Sequence, residues 1–245
     1  MRKLLMGALA VSASVAVVAG GAAVAQTPES TFTATVSPSD AGTKKKPKNT
    51  KLGFKVTLNK PGTTVEFIDL ALPAGLKLSG KGLKTCSVDT LAAEGPTGCP
   101  SGSAAGPTGS ATALLGAAGP SQSTLIFEVS PFVLDSNTLV FYVASESGSG
   151  VAVQSPITGE ITAKGRKLRI RIPQELRQPV PGVDASLTSL DQTFTGKAGK
   201  KYLVSSTGCK NRKHKFTGAL TFTNRADGAA VPPPVALATS TSCKK

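Results

Sequence analysis

Residues 51–58 read KLGFKVTL, with Leu52, Phe54, Val56 and Leu58 on one parity and Lys51, Lys55 and Thr57 on the other. A period of two puts alternate side chains on opposite faces of an extended strand, so one face is buried and the other wet. The pattern recurs along the chain. STFTATV sets Phe32, Ala34 and Val36 against Thr31, Thr33 and Thr35, and KLRIRIP sets Leu168, Ile170 and Ile172 against Lys167, Arg169 and Arg171. HKFTGALTF sets Phe216, Leu220 and Phe222 against Lys215, Thr217, Ala219 and Thr221. Further strands are expected in TTVEFIDLAL, STLIFEVSPF, TLVFYVAS, EITAK, SLTSLDQTF, KYLVSS and VALATST. Short strands separated by Gly, Pro, Ser and Asn predict an all-β fold, an antiparallel Ig-like or jelly-roll-like β-sandwich. No long helical periodicity follows the first 25 residues, which disfavours a doubly wound α/β fold.

Two stretches break the alternation. Residues 95–119 are rich in Gly, Ala, Ser and Pro and read as a long surface loop with at most one strand, SATALL. Residues 41–49, AGTKKKPKN, form a basic loop in which Pro47 interrupts any strand. Neither is a domain linker. Residues 26–245 are therefore expected to form a single large β-sandwich domain, with two smaller sandwiches split near residue 120 as the alternative.

The N-terminus carries a secretory pattern: Arg2 and Lys3, an apolar run over residues 4–19, and Ala23-Val24-Ala25 as a small-x-small cleavage site. Residues 1–25 are expected to be a signal peptide. No later run reaches the ~18 to 20 apolar residues of a membrane span. No transmembrane anchoring is expected after cleavage, and the C-terminal TSTSCKK carries neither a hydrophobic tail nor a wall-sorting motif. The expected location is extracellular, secreted or loosely wall-associated.

An exported chain with four cysteines points to disulfides. Zinc would require three or four Cys or His ligands at short spacing, and redox chemistry a Cys-x-x-Cys pair. The one histidine is His214, and no Cys-x-x-Cys occurs. Four cysteines allow three connectivities. Cys86–Cys99 with Cys209–Cys243 is the preferred one, because the first pair closes a short loop with turn residues at Gly95, Pro96 and Gly98. Inside it, SVDTLAAEG predicts a two-turn helix with Ser87 as N-cap, Asp89 at its positive end and Gly95 past its C-terminus. A helix this short is marginal alone and needs its ends tied.

Catalytic patterns are sparse. No Gly-x-Ser-x-Gly elbow precedes a helix. A triad could use only His214, whose lysine neighbours disfavour the imidazolium a general base must form. Glu66 and Glu128 lie in expected strands, where a glycosidase could hold paired carboxylates, but solvent-facing glutamates are the ordinary reading. No calcium loop and no phosphate loop is present. No catalytic residue, metal or cofactor is expected. With no Trp and only Tyr142 and Tyr202 besides the phenylalanines, aromatic stacking on sugars is disfavoured.

Charge is the remaining signal. The chain holds 28 Lys and Arg against 14 Asp and Glu, a net +14, and losing Arg2 and Lys3 leaves +12. Such a charge favours polyanionic neighbours. The basic residues cluster as Lys44, Lys45, Lys46 and Lys48; Lys164, Arg166, Lys167, Arg169 and Arg171; Lys197, Lys200 and Lys201; and Lys210, Arg212, Lys213 and Lys215. Arg169 and Arg171 share a strand face about 7 Å apart. Neither stacking aromatics nor a reading helix accompanies them, so no specific nucleic-acid partner is expected.

LPAGLKLSGKGLKTCSVDTLAAEGPTGCPSGS and VSSTGCKNRKHKFTGALTF resemble secreted β-rich proteins of high-GC Gram-positive (actinobacterial) soil bacteria. The matching residues are Leu72, Pro73, Gly75, Leu76, Cys86, Gly98, Cys99 and Pro100, then Ser205, Ser206, Thr207, Gly208 and Cys209. The resemblance implies export and a disulfide-stapled β-domain, and it carries over no catalytic or binding residue. The expected role is non-enzymatic: a secreted or wall-associated structural or binding protein. Its candidate surface for anionic wall polymer or polysaccharide is Lys164, Arg166, Lys167, Arg169, Arg171, Lys210, Arg212, Lys213 and Lys215. The rivals are a carbohydrate-active hydrolase with paired carboxylates and an assembly subunit pairing through a sheet edge.

Overall fold

The computed structural model describes residues 30–39, 42–59, 62–116, 122–209, 211–226, 228 and 230–244; the expected signal peptide and Lys210 lie outside them. The strands are β1 (Ser30–Ser37), β2 (Lys48–Asn49), β3 (Lys51–Leu58), β4 (Thr64–Ala71), β5 (Leu76–Leu78), β6 (Gly109–Leu115), β7 (Ser123–Val133) and β8 (Thr138–Ser145). They continue as β9 (Gln154–Thr162), β10 (Lys167–Arg171), β11 (Ala185–Phe194), β12 (Lys197–Ala198), β13 (Lys201–Tyr202), β14 (Val204–Ser206), β15 (Lys213–Thr223) and β16 (Val235–Ser242). Among the described residues, two short helices, α1 (Val88–Glu94) and α2 (Gln174–Arg177), complete the regular structure together with a 3-10 turn at Gly95–Gly98.

The alternating segments become strands with the expected parity: β10 buries Leu168 and Ile170 and exposes Lys167, Arg169 and Arg171. Eleven strands form one sheet, ordered β1-β3-β11-β6-β7-β8-β9-β10-β4-β15-β16, each neighbouring pair antiparallel. Its edges, β1 and β16, lie against each other, and the Lys244 N–H donates to the Ser39 carbonyl at 2.8 Å. An odd number of antiparallel strands brings the edges together running the same way. The sheet is thus nearly closed around one apolar core. Phe54 sits in that core, its ring 6.0 Å from Phe32, 6.2 Å from Phe194 and 5.9 Å from Phe216.

β8 shows no alternation because both its faces are covered. Leu139, Phe141 and Val143 join the main core, while Val140 and Tyr142 meet α1 outside the sheet, in a small second core with Cys86, Leu91 and Phe132. Within α1 the Ser87 hydroxyl accepts from the Thr90 N–H at 3.0 Å, and Gly95 ends the helix at a φ of 66°. Cys86 is bonded to Cys99 and Cys209 to Cys243, with Cα–Cα separations of 5.3 Å and 6.4 Å.

β9 begins at Gln154, earlier than EITAK suggests, and runs through Pro156. Proline is tolerated there because β10 pairs only with residues 159–162 of β9. Pro131 lies likewise in β7 beyond its pairing with β6. The two- and three-residue strands carry no readable periodicity. Of these, β2, β14 and β5 form a small sheet laid over one end of the large one. Thr50 donates to Val204 at 3.2 Å, Ser79 to Leu203 at 2.9 Å and Leu78 to Gly165 at 2.8 Å. Leu76, Leu78, Leu203 and Val204 are fully buried beneath it, so this end is plugged.

Candidate functional site

Antiparallel register sorts every turn to one end of the sheet or the other. At the plugged end lie residues 42–50, β5, the β7–β8 turn, the β9–β10 turn, β12 to β14, and the segment leading into β15. These are the segments that hold the basic runs. Lys44, Lys45, Lys46 and Lys48 precede or lie on β2, Lys77 is on β5, and Lys164, Arg166 and Lys167 surround the β9–β10 turn. Lys197, Lys200 and Lys201 lie around β12 and β13, and Arg212 and Lys213 open β15. All are exposed.

Specific contacts tie these separate runs together. Ser205 pairs with Asn49 on one side and Lys77 on the other. The Lys77 stem lies over Gly165, Leu72 donates to the Arg166 carbonyl at 2.8 Å, and Cys243 donates to the Arg212 carbonyl at 2.9 Å. Among the described residues of these turns, the one acidic side chain is Asp135. At the opposite end the described turns carry Glu146, Glu175 and Asp184 beside Arg177 and Arg225. Arg225 and Asp184 form a buried pair at 3.9 Å, with Arg225 also donating to Ser186 at 3.0 Å. The described charge is strongly polar along the molecule.

Backbone strain marks the same end. The described non-glycine residues with positive φ are Ala163 at 50°, Lys164 at 59°, Asn211 at 53° and Arg212 at 54°. A left-handed conformation is unfavourable for L-residues, by roughly 1 to 2 kcal/mol each. Each of these two turns therefore presents a basic residue where glycine would be easier.

The candidate set divides. Lys164, Arg166, Lys167, Arg212 and Lys213 gather at the plugged end, and Lys215 follows on the outer face of β15. Arg169 and Arg171 lie down the wall and face carboxylates. Arg169 donates through Nε and Nη2 to both Asp69 oxygens, at 2.7 and 2.9 Å, and that contact raises its pKa further. Arg171 meets Glu66 at 3.6 Å. A bulge opposite Thr221 and Phe222 turns both Glu66 and Phe67 outward. Phe67 is thereby set under both guanidinium groups, at 5.2 and 5.8 Å. Lys77 belongs to none of the basic runs in sequence, and the alternation in LKL is its one local signal.

His214 points inward on β15 with 1% exposure, beside Phe216 and the Cys209–Cys243 bond. Burial lowers its pKa. Its ligand atoms and those of the two cysteines lie within 4.8 Å of one another, but the sulfurs are bonded together and offer no thiolate. Glu66 and Glu128 sit on β4 and β7, separated by three strands on the outer face. Glu128 instead shares a polar cleft with Glu94, Ser130, Tyr142 and Gln154, beneath the end of α1.

No family model matches the chain, and neither a curated protein nor a solved structure matches it.

Proposed function

We propose that this is an exported, non-enzymatic binding protein, secreted or loosely wall-associated, whose plugged end holds anionic wall polymer or polysaccharide. Residues 1–25 are the signal peptide in this reading. Residues 26–245 form a single sandwich-like domain in which aromatic rings such as Phe141 and Phe194, 6.2 Å apart, meet across the core. The kinship proposed is with the secreted actinobacterial group that the cysteine segments resemble. The observation that carries the functional reading is the convergence of sequence-distant basic runs on one end with a single described acidic residue among them. A cationic end attracts polyanions through the summed field of its exposed lysines and arginines.

The test is co-sedimentation of the mature protein with cell-wall material, from about 50 mM to about 500 mM salt. Binding should fall steeply with salt, and Lys77→Glu/Lys164→Glu/Arg166→Glu should remove most of it. Undiminished binding by that triple variant would overturn the assignment to this end.

The Glu94–Glu128 cleft favours a second reading, hydrolysis of a surface carbohydrate by paired carboxylates. Release of reducing sugar from wall glycan, lost in Glu128→Gln, is its expected signature; no release from any glycan tested would sink it. The sheet-edge assembly reading finds less support, because β1 and β16 cover each other and leave the large sheet no long open edge among the described residues.

A further inference from the structure

The nearly closed eleven-stranded sheet encloses more room than its inward side chains fill. The excess space survives here as a cavity of about 100 Å³ inside the sheet, toward the end away from the plug. Small residues leave it open: Ala111 and Ala113 on β6 and Ala185 on β11 face inward where strands elsewhere carry Phe, Leu or Ile. Every lining residue is apolar except Gln192 and Arg177. For scale, a hole of roughly 150 Å³ in an apolar core accepts benzene.

Arg177 makes the cavity more than a packing defect. It lies on α2, between the end of β10 and the start of β11, and is half-buried in the cavity wall beside Leu176. Its Nε donates to the Ile172 carbonyl at 3.0 Å, which fixes the side chain. The two terminal nitrogens carry no hydrogen bond or ion pair to a described residue. A half-buried guanidinium in the wall of an apolar hole, its terminal nitrogens without a described partner, is the complement of a carboxylate on an apolar body.

We infer that the interior cavity binds a small apolar monocarboxylate, a short-chain alkyl acid. Its body fills the space beside Ala111 and Ala113, and its carboxylate pairs with Arg177. The site lies at the other end from the basic surface and does not depend on it.

The experiment is a two-dimensional amide NMR titration of the mature protein with hexanoate, and with hexanol as the uncharged counterpart. Saturable shifts are expected at residues 111, 113 and 185. From butanoate to hexanoate, affinity should rise about fourfold per added methylene. Arg177→Gln should weaken hexanoate about tenfold and leave hexanol within about twofold, as loss of a charge-assisted bond requires. Ala113→Phe should abolish both by filling the hole. Because filling the hole can also repack the core, the wild-type shifts and the surface-proximal Arg177→Gln comparison decide the question without that variant. Three results would overturn the proposal: no saturable shift by about 10 mM hexanoate, shifts confined to the lysines of the plugged end, or equal losses of acid and alcohol in Arg177→Gln.

Discussion

His214 folds as a neutral imidazole, because desolvation between Phe216 and the Cys209–Cys243 bond disfavours its charged form. Its folded pKa lies below its unfolded one, so the unfolded chain binds the extra proton. Stability from this residue is complete above the unfolded value of about 6.5 and is lost as pH falls toward and through the lowered folded pKa. Urea midpoints should therefore drop as pH falls below about 6.5, and His214→Gln should flatten that part of the curve. An unchanged slope in His214→Gln would assign the effect to the carboxylates. Lys164 tests a different balance. Relieving its left-handed backbone with Lys164→Gly should stabilise the fold by roughly 1 kcal/mol while weakening polymer binding. Calorimetry and co-sedimentation on one preparation would read both. The Arg169–Asp69 fork is largely exposed, at 56% and 32%, so Asp69→Asn should change stability by less than about 1 kcal/mol.

At the scale of elements, α1 shows how a seven-residue helix persists. A first turn capped by Ser87, a buried Leu91 and a covalent tie across its ends replace the length it lacks. Ser87→Ala should destabilise by about 1 kcal/mol. Replacing Cys86 and Cys99 by serine reopens a short loop and should cost roughly 3 kcal/mol. Hydrogen exchange should then rise in α1 while the amides of β8, held in the ladders with β7 and β9, stay protected, because the second core lies outside the sheet. Loss of protection throughout the sheet would show that the staple supports the whole fold. The β4 bulge is the other element with a consequence: by turning Glu66 and Phe67 outward together it supplies Arg171 with a charge partner and both arginines with a ring.

For the whole molecule, the decisive property is polarity of charge along a nearly closed sheet. Antiparallel strands deliver their turns alternately to two ends, so residues far apart in sequence become neighbours when they share a turn parity. Lys48, Lys77, Lys164 and Lys201 come to the same end on that basis. Successive charge reversals at the plugged end should reduce the salt dependence of binding stepwise, whereas Lys55→Glu, on the wall opposite Asp191, should leave it nearly unchanged. Matching losses at both places would mean that net charge alone governs binding.

The sequence by itself determined most of the long strands, the buried faces of those that alternate, the cap and tail of α1, and the composition of each basic run. These depend on side chains within a few residues of one another, where a period of two or a Ser-to-Gly frame is directly visible. The cysteine spacing favoured one pairing without excluding the others, and the fold selected it. Only tertiary structure decided the rest. It closed the sheet, turned Arg169 and Arg171 toward carboxylates on β4, and moved Lys77 into the company of Lys164. It also gave β8 two buried faces and left a hole beside Ala113. Each of those outcomes depends on which strands become neighbours, and pairing between strands a hundred residues apart leaves no local pattern in either one.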